Sequence, residues 1–417
     1  VDREWKIPHF EKMLYDNAQL LTLFSNAYKE FKKPLFKSTV YSIFDFLNNR
    51  MENSQGAFYS AIDADNYQGE GRYYVFNAEE IKTVGGEDLN LLQDYYQIDL
   101  DKPFEEEYYH LRKSTDLNTL SLKYKLTEKQ LNEKRADWEN QFAALKNERE
   151  FPLIDKKIIT PWNALTVSGL LNAYGAFSDD SFLKQAKQTF TFIEDHLIRR
   201  KKLMHTFQAN EAKMEANLED YAFTIKAALD LYQNTGGQAY LDRAVQLTQT
   251  AIKNFENDEN PFFTFTENPV LFSEIISVDD NVIPSANAIM AENLWALGQL
   301  IENEDYTTKA KKMLDGVVSY FSEGRGSDYS QWAQLLAKEA YSHKEVVIVG
   351  LEAQKTSRNL QQHYLPNVLF QISEKESELP LLKDRYFDEE TLIYVCENKV
   401  CLRPTKTVAE ALKQINN

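Results

Sequence analysis

The stretch from Trp5 to Leu20, WKIPHFEKMLYDNAQL, combines aromatic, acidic and imidazole groups more densely than any other part of the chain. Pro8 suits the first turn of a helix, where its missing N–H costs nothing. Apolar residues then recur at spacings of three and four, which is typical of an amphipathic helix. The pattern predicts a helix over residues 9–31 and, after a short connection, an antiparallel partner that ends near Arg50.

This plan of a helix, a short connection and a second helix is repeated along the chain. The predicted pairs are residues 160–175 with 180–197, 218–234 with 238–254, and 285–301 with 304–320, and a last helix covers 328–341. Strand-like pieces at 203–207 and 262–266 separate the pairs. The spacing fits one helical hairpin and its loop per repeat.

Each leading helix of a pair carries polar groups beside an alanine in its first turns. The four stretches are Asp16-Asn17-Ala18, Trp162-Asn163-Ala164, Asp220-Tyr221-Ala222 and Asn287-Ala288. If the leading helices form an inner ring, we expect these N-terminal ends to meet at one mouth. Plain helix capping by Asp, Asn and Ser explains the same residues and stays open as an alternative.

Two regions depart from the helical repeat. Residues 56–76 contain two strand-like runs around a glycine-bearing acidic turn, which predicts an inserted hairpin, and the charged helix predicted at 127–148 exposes one face to solvent. From His343 onward, apolar runs at 345–350, 367–371 and 392–395 indicate strands, before a helix at 407–415. We therefore predict a helical domain over 1–341 and a small α/β appendage over 342–417.

Composition limits the possible partners. The 417 residues carry a formal net charge of −17, which disfavours nucleic acid and acidic membranes and leaves a neutral or cationic partner. No apolar run approaches the ~20 residues of a membrane span, and the N-terminal residues do not form a signal peptide. We expect a cytoplasmic protein, and the start at Val1 without a methionine fits a fragment.

Metals and cofactors are not expected. The six histidines show no pairing at metal-ligand spacing, and phosphate-binding and dinucleotide-binding motifs are missing. Cys396 and Cys401 cannot form a disulfide framework or fill a four-cysteine zinc site. Their spacing differs from the C-x-x-C of thioredoxin-like proteins, so they are either structural thiols or a redox pair.

Several separate motifs stand out in the chain: the opening stretch at 5–20, D-A-D with E-G-x-Y-Y-V at 63–75, L-E-D-Y-A-F at 218–223, D with P-S-x-N at 280–287, and Y-V-C-x4-C-x-x-P at 394–404. Together they resemble the motifs of a known family, the YyaL-type thioredoxin-domain proteins, which include spermatogenesis-associated protein 20. A further stretch at 152–164 is similar to the family's P-x-x-D-D-K with W-N-G, except that Lys156 replaces an acid and Ala164 replaces a glycine. Ala286 replaces the glycine of the family's P-S-G-N motif.

The resemblance implies a mainly α fold. In that family a thioredoxin-like domain precedes an (α/α)6 toroid similar to those of N-acylglucosamine 2-epimerases and six-hairpin glycosidases. The chain is then the toroid without its first helices, with short β-hairpin insertions and a C-terminal α/β appendage. The thioredoxin-like domain has no counterpart in the sequence and is a possible upstream partner.

The polar residues of the predicted mouth form a candidate carbohydrate site. Carboxylates whose pKa values are separated by burial or repulsion can act as general acid and base, and flat aromatic faces suit a sugar ring. The predicted catalytic residues are His9, Glu11, Asp16, Glu219 and Asp220. The predicted substrate-binding residues are Trp5, Tyr15, Asp65, Glu70, Asp155, Lys157, Trp162, Asn163, Tyr221, Asp280, Ser285 and Asn287.

Histidine bases are implied by the epimerase resemblance. His9 is the best-placed imidazole, and His205 in the hairpin after the second helix pair is a weaker second candidate. The functional hypothesis is epimerase-like or glycosidase-like acid/base chemistry on a small neutral carbohydrate. The alternatives are a non-catalytic module that presents clients to a thioredoxin-like domain, and an inactive fragment.

Overall fold

The computed structural model describes residues 3, 6–114, 116–200, 202–257, 259–266, 275–321 and 325–416. The helices are α1 (Leu14–Phe31), α2 (Pro34–Phe46), α3 (Ala78–Gly85), α4 (Leu89–Tyr96), α5 (Leu117–Tyr124), α6 (Glu128–Asn147), α7 (Thr160–Phe177), α8 (Asp180–Phe192), α9 (Leu218–Thr235), α10 (Gln238–Phe255), α11 (Ala286–Ile301), α12 (Glu304–Phe321), α13 (Ser330–Ala340), α14 (Ala353–Gln361) and α15 (Val408–Ile415). Among the residues described, none of these helices has the length and apolar character needed to cross a membrane.

The strands are mostly short. They are β1 (Lys12–Met13), β2 (Ala61–Ile62), β3 (Asp65–Asn66), β4 (Gly69–Glu70), β5 (Phe76–Asn77), β6 (Tyr108–Tyr109), β7 (Ile154–Asp155), β8 (Ile158–Ile159), β9 (Ile198–Arg199), β10 (Lys202–Gln208), β11 (Glu211–Glu215), β12 (Lys344–Val349), β13 (Val368–Ser373), β14 (Leu392–Glu397) and β15 (Val400–Cys401). The strand predicted at 262–266 is wrong, because these residues have no regular pairing in the structure.

The chain divides into two compact units. The first unit is Val1–Met13 with Ala61–Asp155, and the second unit is Leu14–Ser60 with Lys156–Asn417. The division differs from the predicted boundary at 341/342. The C-terminal α/β segment belongs to the same unit as the helical hairpins, whereas residues 61–155, which we expected inside the helical domain, are compact by themselves.

The first unit combines three small sheets with α3–α6. Strand β2 lies between β1 and β7, β3 pairs with β4, and β5 pairs with β6. The core beneath the helices is aromatic, with Tyr95, Tyr96, Trp138 and Phe142 all buried. Helix α6 begins with a capping box between Thr127 and Gln130 and buries only one face, which confirms the predicted solvent-exposed helix.

The opening stretch does not form a helix from residue 9. Lys12 and Met13 pair with Ile62 and Ala61 as strand β1, so the helix begins at Leu14. The periodic apolar residues predicted the helix correctly, but a short strand pairing determines where it begins. His9 and Glu11 therefore precede the helix instead of lying in its first turn, and the prediction that placed them there is wrong.

The second unit contains the repeated helical hairpins. Helix α1 packs on α7, α7 on α9, and α9 on α11, and each of these leading helices also packs on the helix that follows it. The rings of Tyr15 and Trp162 meet near the N-terminal ends of α1 and α7, and those of Tyr28 and Phe177 meet near their C-terminal ends, with centroids 4.9 and 4.8 Å apart. The two helices are therefore parallel.

Burial distinguishes leading helices from their partners. Every residue of α7 from Asn163 to Leu171 is buried, whereas the partner α10 buries a single stripe from Leu241 to Phe255. The leading helices α7, α9 and α11 are buried on most sides, whereas α1 buries a single stripe from Leu14 to Ser25, as the partner helices do. The predicted mainly α class, built of helical hairpins with short β-hairpin insertions and a C-terminal α/β segment, is confirmed.

The α/β segment is a mixed sheet in the order β13-β12-β14-β15, with β12 parallel to β13 and antiparallel to β14. Alternate residues of β12 face opposite sides. Val346 and Ile348 pack with α14 and α15, whereas Val347 and Val349 pack with Leu382 and its neighbours. The predicted strands and the final helix are confirmed.

This segment covers the C-terminal ends of the leading helices. Lys32 donates to the carbonyl of Gln362, the Gln362 side chain donates to the Ser178 hydroxyl, and Gln354 donates to the carbonyl of Thr235 at the end of α9. Gly236 follows with φ +67°, and a Cβ there would lie 2.4 Å from the carbonyl oxygen of Ile372. Only glycine allows that approach.

Candidate functional site

A histidine–aspartate pair joins the β10–β11 hairpin to the first turn of α9. The Nδ1 atom of His205 lies 2.9 and 3.0 Å from the two carboxylate oxygens of Asp220, which is completely buried. Asp220 also accepts a hydrogen bond of 2.8 Å from the backbone of Asn217, whose side chain caps α9 in return. The capping box fixes the carboxylate that holds the imidazole.

The pKa values of His205 and Asp220 are both raised, for different physical reasons. The hydrogen bond that Asp220 accepts from the imidazole raises the pKa of His205. Burial raises the pKa of Asp220, and its hydrogen bonds with His205 and Asn217 oppose that shift. When Asp220 is ionised it can only accept hydrogen bonds, and Nδ1 of His205 is then the donor. Nε2 is the ring nitrogen that Asp220 does not engage.

Glu219 lies beside this pair in the same turn. Burial, and then the neighbouring charge of Asp220, raise the pKa of Glu219 to about 7. Its carboxyl group has no hydrogen-bond partner among the described residues. A carboxyl group with a pKa near the working pH is suited to giving or taking a proton, which fits its predicted catalytic role.

Aromatic side chains lie at the same end of the leading helices. Trp162, in the first turn of α7, is half-buried, and the ring of Tyr15 meets it edge to face. Two residues before Trp162, the Thr160 hydroxyl donates a 2.6 Å hydrogen bond to the carbonyl of Met204, the residue before His205. Strand β10 thus links the aromatic pair to the histidine.

Three of the predicted substrate-binding residues instead anchor the inserted loops. Asn163 accepts from the backbone N–H of Phe58 and donates to its carbonyl, at 2.8 and 3.0 Å. Asn287 makes the same two bonds to Phe263, at 2.8 and 3.1 Å. At the corresponding position of α9, the hydroxyl of the buried Tyr221 accepts from the backbone N–H of Leu203 at 3.5 Å. These side chains face the protein interior, not a ligand, because their polar atoms bind backbone groups.

Other predicted residues of the second unit have separate positions. Asp280 accepts from the backbone N–H groups of Ser285 and Gln331 and so fixes the start of α13. Ser285 is buried and precedes α11. Asp16 in the first turn of α1 and Lys157 before β8 are exposed. The first turns of α1 and α7 lie side by side, but the buried Asp220 and Asn287 point into the protein. A mouth shared by all four first turns stays a prediction.

The remaining predicted residues belong to the first unit. Exposed His9 borders a cavity of about 450 Å³ with Lys12, and burial, followed by Lys146, lowers the pKa of Lys12 to about 7. Glu11 directly precedes β1. Asp65 and Glu70 face each other across the exposed β3–β4 hairpin, and Asp155 lies in β7. Trp5 lies outside the described residues.

The cysteine pair is oxidised in the structure. A disulfide joins Cys396 in β14 to Cys401 in β15, at positions directly opposite each other, and the guanidinium of Arg385 lies 3.1 Å from the sulfur of Cys401. The alternative of two free structural thiols is therefore wrong, and a redox role of the pair stays a prediction. No group of three or more potential metal ligands is found in the part of the chain that the structure describes.

His205 is the residue that the sequence indicated least clearly. It lies in strand β10, Lys202–Gln208, where apolar and polar residues do not alternate, so the sequence does not indicate which way the imidazole faces. The helix start at Asn217-Leu-Glu-Asp is readable from the sequence. Pairing with a histidine fifteen residues earlier in the chain depends on how the hairpin folds back.

The chain is similar in sequence to several curated proteins along its whole length. No family model matches the chain. An uncharacterized protein of Caenorhabditis elegans is 27% identical over 469 residues, which cover the whole of this chain and 62% of the relative. Human spermatogenesis-associated protein 20 is 26% identical over 468 residues, covering this whole chain and 59% of the relative. The chain thus spans about three fifths of these curated relatives.

Solved structures give lower similarity. Cellobiose 2-epimerase from Spirochaeta thermophila is 12% identical, with a TM-score of 0.46 over 77% of this chain and 62% of that one. A GH76 alpha-mannanase from Bacteroides thetaiotaomicron is 14% identical, with a TM-score of 0.44 over 74% and 62%. The sequence matches extend over the full length of the chain, which is therefore similar to spermatogenesis-associated protein 20 along its whole length.

Proposed function

We propose that the second unit carries out proton-transfer chemistry on a neutral carbohydrate, with His205 as the base and Glu219 as the acid. The observation that carries the proposal is the hydrogen bonding of His205 Nδ1 to the buried Asp220, at 2.9 and 3.0 Å, next to a carboxyl group of raised pKa. An imidazole oriented by a carboxylate is a typical general base.

The geometry favours epimerisation or isomerisation over glycoside hydrolysis. Hydrolysis by the common mechanisms needs two carboxyl groups that flank the scissile bond. Asp220 is completely buried, and its oxygens are occupied by His205 and Asn217. A base and an acid, by contrast, are what removal and return of a proton beside a sugar carbonyl require.

The expected substrate is neutral and has an apolar face. The formal net charge of −17 disfavours anionic sugars at an acidic site. Trp162 and Tyr15 supply flat faces with polar edges at the same end of the leading helices. A reducing mono- or disaccharide in its open-chain form has the carbonyl that proton abstraction requires.

Deuterium exchange tests this function directly. The protein is incubated with D-glucose, D-mannose or cellobiose in D2O, and proton NMR follows deuterium incorporation at C2. We expect exchange with at least one sugar, and a loss of roughly 10²- to 10⁴-fold in His205→Asn and Glu219→Gln. His196→Asn and Glu215→Gln are matched controls, since neither residue contacts the pair, and both should retain the rate.

Two other outcomes would contradict this assignment of His205 and Glu219. Exchange that survives both His205→Asn and Glu219→Gln would show that other residues act. If no sugar exchanges and calorimetry detects no binding of any of them, the proposal is wrong and the alternative of a non-catalytic module for a thioredoxin-like partner takes its place.

A further inference from the structure

A polar cavity lies in the second unit, at the end of the leading helices opposite to His205. It has a volume of about 280 Å³ and is bordered by the C-terminal halves of α1, α7 and α9, by α11 and α13, and by the α/β segment. Asp220 and the cavity residue Asp230 are ten residues apart in α9, which corresponds to about 15 Å along a helix. The cavity is therefore separate from the His205 site.

Two of the three lysines in this cavity are neutralised by acids. Glu292 contacts Lys338 at 2.5 Å and Lys226 at 3.8 Å, and Lys226 also lies 3.6 Å from Asp230. Although burial disfavours its charge, the two lysines lower the pKa of Glu292 to about 2. Two lysines and two carboxylates thus leave no net charge within this network.

Lys29, in the last turn of α1, is the third lysine and has no acidic partner. Its ammonium group makes no hydrogen bond or ion pair with the described residues. Burial, and then the positive charge of Lys32, lower the pKa of Lys29 to about 8. The imidazole of His363, whose pKa is lowered by burial and by Lys32, does not balance this charge. The cavity therefore carries one uncompensated cation in a protein of strongly negative net charge.

The space beside Lys29 is preserved by the absence of a side chain. A Cβ at Gly175 in α7 would lie 3.2 Å from the Lys29 nitrogen and 3.3 Å from the Gln361 side-chain oxygen. One carbonyl near each of these two helix ends is capped by a backbone N–H group, that of Tyr174 by Ser178 at 2.8 Å and that of Tyr28 by Lys32 at 3.0 Å.

Carboxamides complete the lining. Asn172 and Gln361 use their N–H groups on protein acceptors, the carbonyl of Ser168 and the carbonyl of Gln233. Their side-chain oxygens, and the whole amide of Asn26, have no hydrogen-bond partner among the described residues. Such oxygens accept hydrogen bonds from hydroxyl groups.

We propose that this cavity binds a small hydroxylated oxyanion, a sugar acid or a sugar phosphate, with its charged group on Lys29 and its hydroxyl groups on the carboxamides. The charged group of the ligand would form an ion pair with the buried ammonium group of Lys29. The attraction between two opposite charges is stronger inside a protein than at its surface. This proposal goes beyond the carbohydrate chemistry proposed for His205 and does not depend on it.

Calorimetry with four probes tests the proposal on the full chain. The probes are gluconate, glucose 6-phosphate, glucose and inorganic phosphate, in a buffer free of phosphate. We expect gluconate or glucose 6-phosphate to bind at least 10-fold more tightly than glucose and inorganic phosphate. Because an anion restores the protonation of Lys29, binding at pH 8.5 should take up a proton, measurable as a dependence of the heat on the ionisation enthalpy of the buffer.

Variants connect the binding to Lys29. Lys29→Met should weaken binding by 10-fold or more and should fold well, because it removes an unpaired charge from the interior. Gly175→Ala narrows the same space without a charge change and should also weaken binding. Lys33→Met, an exposed lysine at the start of α2, is the matched control and should bind as the unaltered chain does.

Three results would overturn the proposal: no binding of either oxyanion sugar, unchanged binding in Lys29→Met, or inorganic phosphate bound as tightly as glucose 6-phosphate. The deuterium exchange described above separates the two sites. Lys29→Met should keep that exchange, and His205→Asn should keep the binding of the oxyanion.

Discussion

Glu219 and Asp220 are adjacent acids with different functions in the structure. Asp220 is completely buried and holds His205, whereas Glu219 keeps a carboxyl group without a hydrogen-bond partner among the described residues. Neighbouring residues of a helix point about 100° apart, so one turns into the protein and the other does not. The sequence predicted both as catalytic, because it shows the two acids but not which of them the hairpin covers.

The raised pKa of Glu219 makes stability depend on pH. The pKa of Glu219 is about 7 in the folded protein, against an ordinary 4.5. Ionisation is therefore harder in the folded state, and the protein loses stability as pH rises from about 4.5 to 7, with the full loss present above pH 7. Glu219→Gln should therefore raise the free energy of unfolding by about 1–3 kcal/mol at pH 8 and change it little at pH 4.5.

Urea unfolding at the two pH values measures this difference. The exposed Glu215→Gln is the control and should change stability by no more than about 0.5 kcal/mol at either pH. A Glu219→Gln variant that is equally stable relative to the unaltered chain at pH 4.5 and pH 8 would contradict the raised pKa.

The charge of Asp220 should be visible in the titration of His205. In Asp220→Asn the carboxylate that raises the pKa of His205 is gone, while the ring remains partly buried. We expect the pKa of His205 to fall to or below its ordinary 6.5, as followed by NMR of the imidazole. Asp242→Asn, on the exposed face of α10, should leave it unaltered. A His205 pKa that is the same in both variants would show that the hydrogen bond with Asp220 is not what raises it.

At the scale of elements, the repeated polar residues of the leading helices have a structural explanation. Asn163 and Asn287 each bind both backbone groups of a phenylalanine outside the helices, Phe58 and Phe263, and Tyr221 binds the β10–β11 hairpin at the matching position. The sequence predicted that these residues lie at equivalent positions, because the helical repeat is periodic. It did not reveal their partners, because the loops have no period.

Removing one of these anchors should cost stability. Asn163→Ala leaves the N–H and C=O groups of Phe58 unpaired in a buried position. We expect a loss of about 2–4 kcal/mol in the free energy of unfolding, measured with urea. Asn147→Ala, at the exposed end of α6, should cost about 0.5 kcal/mol or less. Equal losses in the two variants would mean that the anchor contributes nothing.

At the scale of the whole molecule, the helical repeat was predictable and the division into units was not. Apolar periodicity shows each helix by itself. That the α/β segment joins the hairpins follows from contacts between distant residues, such as Gln354 with Thr235 and Gly236 with Ile372. The compactness of residues 61–155 likewise depends on an aromatic core assembled from several short elements, and no local pattern marks it.

Hydrogen exchange should reveal the two units as separate cooperative regions. Leu92 is buried in the core of the first unit and Val346 in the core of the α/β segment. Leu92→Ala, at a cost of about 2–5 kcal/mol, should reduce the protection of α4–α6 while α9 keeps its own. Val346→Ala should instead reduce protection in the α/β segment and at the C-terminal end of α9, because the two share hydrogen bonds. Were Leu92→Ala to reduce protection in α9 as much as in α6, the chain would unfold as one unit. The α/β segment would then have no closer connection to the hairpins than residues 61–155 have.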